Sequence, residues 1–249
     1  ADTLLAAHPQ NPLWYRFRAA SVVYSGDVER ARAAVAEAER HSPTAEDRRD
    51  LYKVIATAWG SLMYANLAEE SLEKALEADP GHDDPQVVKG LTEYLRMQHK
   101  FDEYEQRTRT LLAQSPDNDM YQANLIEVQM ERHRFSEALR MARERALAAP
   151  ENGRWYWYWA SAAILSGDES VLPDIEARVR DRSKSTDDLR HFYASVASAY
   201  AQCGNQNKSI EYFHKAIDAD GKYTPAYNNL AGALEKQGNL AEAEATYRK

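Results

Sequence analysis

The chain has 249 residues, 44% of them hydrophobic, which is enough to bury a core, and its 40 alanines against 17 valines and isoleucines favour helix over a sandwich or barrel. With 31 Lys and Arg against 39 Asp and Glu, the net charge of −8 gives no broad basic footprint for nucleic acid. No apolar run approaches the roughly 20 residues of a membrane-spanning helix, so direct membrane insertion is excluded for this sequence, and the mean hydropathy of −0.69 agrees.

Two series of markers organise the chain. Prolines close Ala-rich segments at Pro9, Pro43, Pro80, Pro116 and Pro150, at spacings of 34, 37, 36 and 34 residues, and Gly221 continues the series. A second series marks a tight turn inside each unit: Gly26, Met63, His99, His133, Gly167, Gly204 and Gly238, at spacings of 37, 36, 34, 34, 37 and 34. Apolar residues recur at i, i+3, i+4 and i+7 on both sides of each turn, so each unit is predicted to be a helical hairpin.

In chain order, residues 1–11, with Leu4, Leu5 and Pro9, read as the tail of a preceding hairpin. Seven hairpins follow near 12–48, 49–84, 85–118, 119–152, 153–189, 190–223 and 224–249, expected to form one continuous array over 1–249 in a fragment of a longer chain. Small residues mark where paired helices cross: Ala19, Ala56, Ala160, Ala197 and Ala231 on one side, Ala31, Ala68, Ala138, Ser209 and Ala243 on the other. The third hairpin departs from this with Thr92 and Tyr104. In the fifth, Pro173 predicts a second helix that starts late or is shortened.

This pattern resembles the tetratricopeptide repeat, W-x2-L-G-x2-Y, A-x3-F, P over 34 residues. The best copy runs through Tyr193, Val196, Ala197, Tyr200, Gly204, Ser209, Phe213 and Ala216. The resemblance implies an all-α, right-handed superhelical solenoid of about seven hairpins that serves as a protein-binding scaffold, with positions 2, 5, 6, 9, 12 and 13 of each hairpin facing a concave groove. Position 5 then reads Arg16, Lys53, Lys89, Ala123, Trp157, Ala194 and Asn228. The three leading cations suit an acidic segment of a partner protein or peptide. The stretch Trp155–Trp159 is aromatic throughout; Tyr156 and Trp159 fall on the packing stripe, while Trp157 and Tyr158 project towards the groove or are covered by the irregular helix after them. The candidate groove residues are Arg16, Lys53, Lys89, Glu127, Trp157, Tyr158 and Asn228. No consecutive triple of hairpins carries the full carboxylate-clamp set that some relatives use for acidic C-terminal tails.

Catalytic motifs are missing: there is no phosphate-binding glycine loop, no H-E-x-x-H and no G-x-S-x-G. The chain is therefore expected not to be an enzyme and to need no cofactor or metal. His99 and His133 sit at equivalent points of adjacent hairpins, roughly 10 Å apart, too far to share a metal, and each is expected to stand in for glycine at a turn. His82, Asp83 and Asp84 read as a solvated loop. The lone Cys203 excludes an internal disulfide and is expected to pack as a small apolar residue. Two further readings stay open: an arm of a larger bacterial assembly or polysaccharide-secretion protein that docks an enzyme, and direct carbohydrate binding through Trp157 and Tyr158. The Ala- and Arg-rich usage points to a bacterial cytoplasm or periplasm.

Overall fold

The computed structural model describes residues 2–78, 84–182 and 186–248. Among them are fifteen α-helices, one short 3-10 turn (Glu169–Val171) and no strand. Two compact units divide the chain, Ala1–Arg107 and Thr108–Lys249.

In the first unit, α1 (Asp2–Ala7) precedes the hairpin of α2 (Pro12–Val23) and α3 (Val28–Arg40), the hairpin of α4 (Ala45–Ser61) and α5 (Ala65–Ala78), then α6 (Pro85–Met97) and the start of α7 (Phe101–Gln114). Helix α4 packs on its own partner α5 and also on α2, the first helix of the hairpin before it. The core between them holds Ala19, Val23, Ala31, Leu51, Ile55, Trp59 and Ala68. The second unit contains α8 (Asp119–Glu131), α9 (Phe135–Ala148), α10 (Arg154–Ser166), α11 (Leu172–Arg182), α12 (Thr186–Gln202), α13 (Gln206–Ala219), α14 (Thr224–Gln237) and α15 (Leu240–Tyr247). Its first helices stack α10 on α12 and α12 on α14, as α2 and α4 do in the first unit.

Every turn marker of the sequence lies in the left-handed region: Gly26, Gly167, Gly204 and Gly238 at φ 76° to 88°, Met63 at 63°, His99 and His133 at 56°. After six of the seven, the next residue donates its N–H five residues back. These bonds run from Tyr64 to Trp59, Lys100 to Leu95, Arg134 to Gln129, Asp168 to Ala163, Asn205 to Tyr200 and Asn239 to Leu234, at 2.8–3.0 Å. This is the Schellman closure, which satisfies carbonyls that a helix end leaves free. Asp27 and Asn205 then cap the helices that follow through Arg30 and Lys208 N–H. At His99 and His133 the imidazole edge meets Phe101 and Phe135 at centroid distances of 5.6 and 5.4 Å, a contact that offsets part of the left-handed strain.

The crossing residues are all buried, with Ala31, Ala68, Ala138, Ala160, Ala197, Ser209 and Ala231 fully so. Thr92 and Tyr104 are buried as well, the larger side chains in the places where other hairpins use alanine. The fifth hairpin keeps its irregular second helix, a 3-10 turn followed by α11 with Pro173 at its second residue. One expectation changes, that for Cys203, while two helices start ahead of their repeat boundary. Helix α4 starts at Ala45, a turn before 49, because Thr44 and Asp47 form a capping box. Helix α12 starts at Thr186, a turn before 190. Cys203 is exposed, not packed in an apolar site. Of the loop His82, Asp83 and Asp84, the first two lie outside the described residues, as does Pro80; Asp84 is buried and caps α6 through Gln86 N–H at 2.9 Å.

Candidate functional site

Where first helices stack, as α2 on α4, α10 on α12 and α12 on α14, each buries one stripe against its hairpin partner and one against its stacked neighbour, and α2 keeps a further face open. On α2 that face carries Leu13, Phe17 and Tyr24, 38%, 49% and 53% exposed. Spacings of four and seven residues put all three on one side of the helix. They occupy positions 2, 6 and 13 of the hairpin, all groove-facing by the resemblance, whereas the candidate on this helix was Arg16 at position 5. Reading positions 2, 6 and 13 down the repeats with the same attention would have found them.

Two of the three position-5 cations of the first unit, Arg16 and Lys53, reach carboxylates of the next hairpin or its cap. Arg16 reaches Asp50 at 3.2 Å and Asp47 at 3.9 Å, with only 15% of its side chain exposed. Lys53 donates to Asp84 at 2.6 Å. Burial pushes the Asp84 carboxyl up, but the Lys53 ammonium and the N–H groups of Gln86 and Val87 outweigh it and hold the group below the usual carboxylate range. Lys89 is exposed, and among the described residues it has no ion-pair partner. Its neighbour Glu93 pairs with Arg96 at 3.6 Å.

In the second unit Trp157 is half-buried. Its ring lies over His191 at 5.0 Å, and His191 meets Tyr223 edge-on at 5.1 Å while sharing a 3.2 Å hydrogen bond with its hydroxyl. Trp157 Nε1 is itself buried, so the indole N–H is not open to a partner. Burial, followed by the Arg190 charge, pushes the His191 imidazole below its ordinary value. Tyr158 is half-buried and donates its hydroxyl to Glu127 of the preceding first helix. Tyr156 and Trp159 are buried in the core, as their helical phase predicts, and Trp155 is fully buried with them. Asn228 is exposed. Within each unit, therefore, the structure brings Arg16 and Lys53 onto carboxylates of the next first helix, and joins Tyr158 to Glu127.

Glu69, Glu73 and Glu103 bring carboxylate oxygens within 4.8 Å of one another. Lys100 already holds Glu69 at 2.8 Å and Arg107 holds Glu73 at 2.6 Å, so two of the three charges are balanced by the protein itself. Among the described residues no helix is long and apolar enough to cross a membrane.

Stacked helical hairpins, each turning on a left-handed residue between its two helices, define a repeat protein. The profile of the tetratricopeptide repeat matches residues 191–223 and 224–249, so the last two hairpins are tetratricopeptide repeats. No curated protein matches it in sequence. A similar solved structure is TTC0263, a thermophilic tetratricopeptide repeat protein of Thermus thermophilus, with a TM-score of 0.52, 16% identity, and coverage of 75% of this chain and 98% of that one. A tetratricopeptide repeat protein from Parabacteroides merdae is similar at a TM-score of 0.49 and 17% identity, covering 80% of this chain and 77% of that one.

Proposed function

We propose that this chain is a protein-interaction scaffold whose first-helix face takes a segment of a partner protein. The observation that carries the reading is the row Leu13, Phe17 and Tyr24, three large side chains left open on one helix face. A partner that covered them would bury apolar area worth about 25 cal/mol per Å² before the costs of association. Beside them the acidic-segment reading narrows to Lys89. Arg16 and Lys53 already meet carboxylates of their own chain, so they serve a partner only by sharing or exchanging those bonds. In the second unit the face would present the half-buried Trp157, the Tyr158–Glu127 pair and Asn228.

The test places a photo-crosslinking phenylalanine analogue at Phe17 and, separately, at Arg140, an exposed residue of the second helix α9. Crosslinks to a defined protein partner from Phe17 and none from Arg140 support the reading. Equal crosslinking from both positions refutes it. Raising the salt separates the contributions: a partner held mainly by Lys89 weakens steeply, whereas one held by Phe17 barely responds.

A further inference from the structure

A cavity of about 240 Å³ opens in the first unit between the second helices α3 and α5, away from the first-helix face. Alanines make it: Ala31 and Ala36, with Val35, form the α3 wall, where longer side chains would close the gap against α5. Ile55, Trp59 and Tyr52 of α4 form the floor, and Leu67 and Ser71 the opposite wall. Its volume falls below the roughly 300–1,000 Å³ of clefts that hold whole small molecules or cofactors, and fits a guest the size of one side chain.

The two ends of this slot differ in charge. Glu39 and Glu70 line the slot beside Tyr52, and Glu77 lies close enough to act on the same hydroxyl. Lys74 pairs with Glu70 at 2.9 Å and lies 5.8 Å from the centre of the Tyr52 ring. Among the described residues neither Glu39 nor Glu77 has an ion-pair partner, so one cation faces three carboxylates at this end. Burial, with the pull of those carboxylates, pushes the Tyr52 hydroxyl well above its ordinary value, as expected where the surroundings are negative. Arg32 lines the same slot seven residues before Glu39, about 10 Å along the helix. Trp59 follows Tyr52 by the same interval on the antiparallel helix α4, which places Arg32 at the Trp59 end.

We propose that this slot takes one arginine side chain of a partner protein, its methylenes on Ile55, Trp59 and Leu67 and its guanidinium at Glu39 and Tyr52. A guanidinium matches a carboxylate with two parallel donors. Arg32 at the far end repels a second positive charge, which selects a single cation on an apolar stem over a diamine.

The full chain is titrated with n-butylguanidinium while the Trp59 indole N–H is followed by heteronuclear NMR, its signal assigned from Trp59→Phe. The expected result is a saturable shift that weakens roughly three- to tenfold in Glu39→Gln/Glu77→Gln. Both of those residues are exposed and outside ion pairs, and an unchanged circular dichroism spectrum verifies that the variant is folded. Neutral n-butylurea is expected to give little response and putrescine a weaker one, while N-acetylarginine amide binds at least as tightly as n-butylguanidinium. The proposal is overturned by failure to saturate, by an equal response to butylurea, by tighter binding of putrescine, by loss of binding when the guanidinium is carried on a peptide unit, or by an affinity that the double variant leaves unchanged.

Discussion

Replacing Gly60 by alanine sets helix propensity against packing. Gly60 lies near the end of α4, and a Cβ built there would stand 2.0 Å from the hydroxyl oxygen of Tyr94 and 3.3 Å from the ring carbon that bears it. Ordinary contact needs about 3.5 Å, so the half-buried Tyr94 ring on α6 must retreat by more than an ångström. The alanine itself gains at most about 1 kcal/mol of helix propensity, while overpacking of this kind costs about 1–3 kcal/mol. Gly60→Ala is therefore expected to be destabilising by about 1 kcal/mol. In a Tyr94→Phe background the 2.0 Å contact is gone and the remaining one asks for only a few tenths of an ångström. There the same substitution should be neutral or stabilising. Thermal and urea unfolding of the four proteins, read by circular dichroism, gives the coupling between the two sites, expected to be about 1 kcal/mol or more. If Gly60→Ala raises stability equally in both backgrounds, the close approach of α4 and α6 at this point is refuted.

Met63 holds a left-handed conformation with 81% of its surface exposed, and it lacks the aromatic contact that His99 and His133 make. Met63→Gly is expected to raise stability by about 1 kcal/mol in urea titrations, more than His133→Gly does. Ala197→Leu puts a larger side chain at a fully buried crossing of α12 and should cost roughly 1–3 kcal/mol; an unchanged melting temperature would count against the packing there. Asp84→Asn keeps the cap on α6 but removes the charge that Lys53 meets, and should cost about 1–3 kcal/mol at neutral pH. Because the Asp84 carboxyl is held below its ordinary value, its contribution is complete above the unfolded pKa of about 3.9 and is lost as pH falls through the folded value. The variant should accordingly show a shallower loss of stability below about pH 4, measured by melts across an acid series.

Turns and helix crossings were legible in the sequence because each is a local demand on one residue. A left-handed position selects glycine, or a residue repeating at the glycine's phase, and a close crossing selects alanine. That is why His99 and His133 could be read as turns although neither is glycine. Helix starts were less legible: the capping box of Thr44 and Asp47 stands in the sequence, but the polar run after it carries no apolar period to draw the eye. Least legible were the surroundings of the candidate groove. Arg16 read as a free cation because Asp50 lies 34 residues on, in the next hairpin, and Trp157 read as open or covered by its own hairpin's second helix because His191 lies equally far away. That separation is the repeat length itself, so pairing residues at an offset of one repeat would have anticipated both contacts. Phe17 was missed because an exposed aromatic gives no signal until the rest of its helix is known to be covered.

The left-handed turns have a consequence for how such a chain can change. Each hairpin carries its own punctuation, a stop written in one left-handed residue, and its handholds on the next hairpin recur at one module's distance. Copy number can therefore drift by whole modules, through duplication or excision in steps of about 34 residues, while every surviving joint keeps its grammar. The fifth hairpin, with its 3-10 turn and displaced second helix, is the cassette least able to trade places with the others.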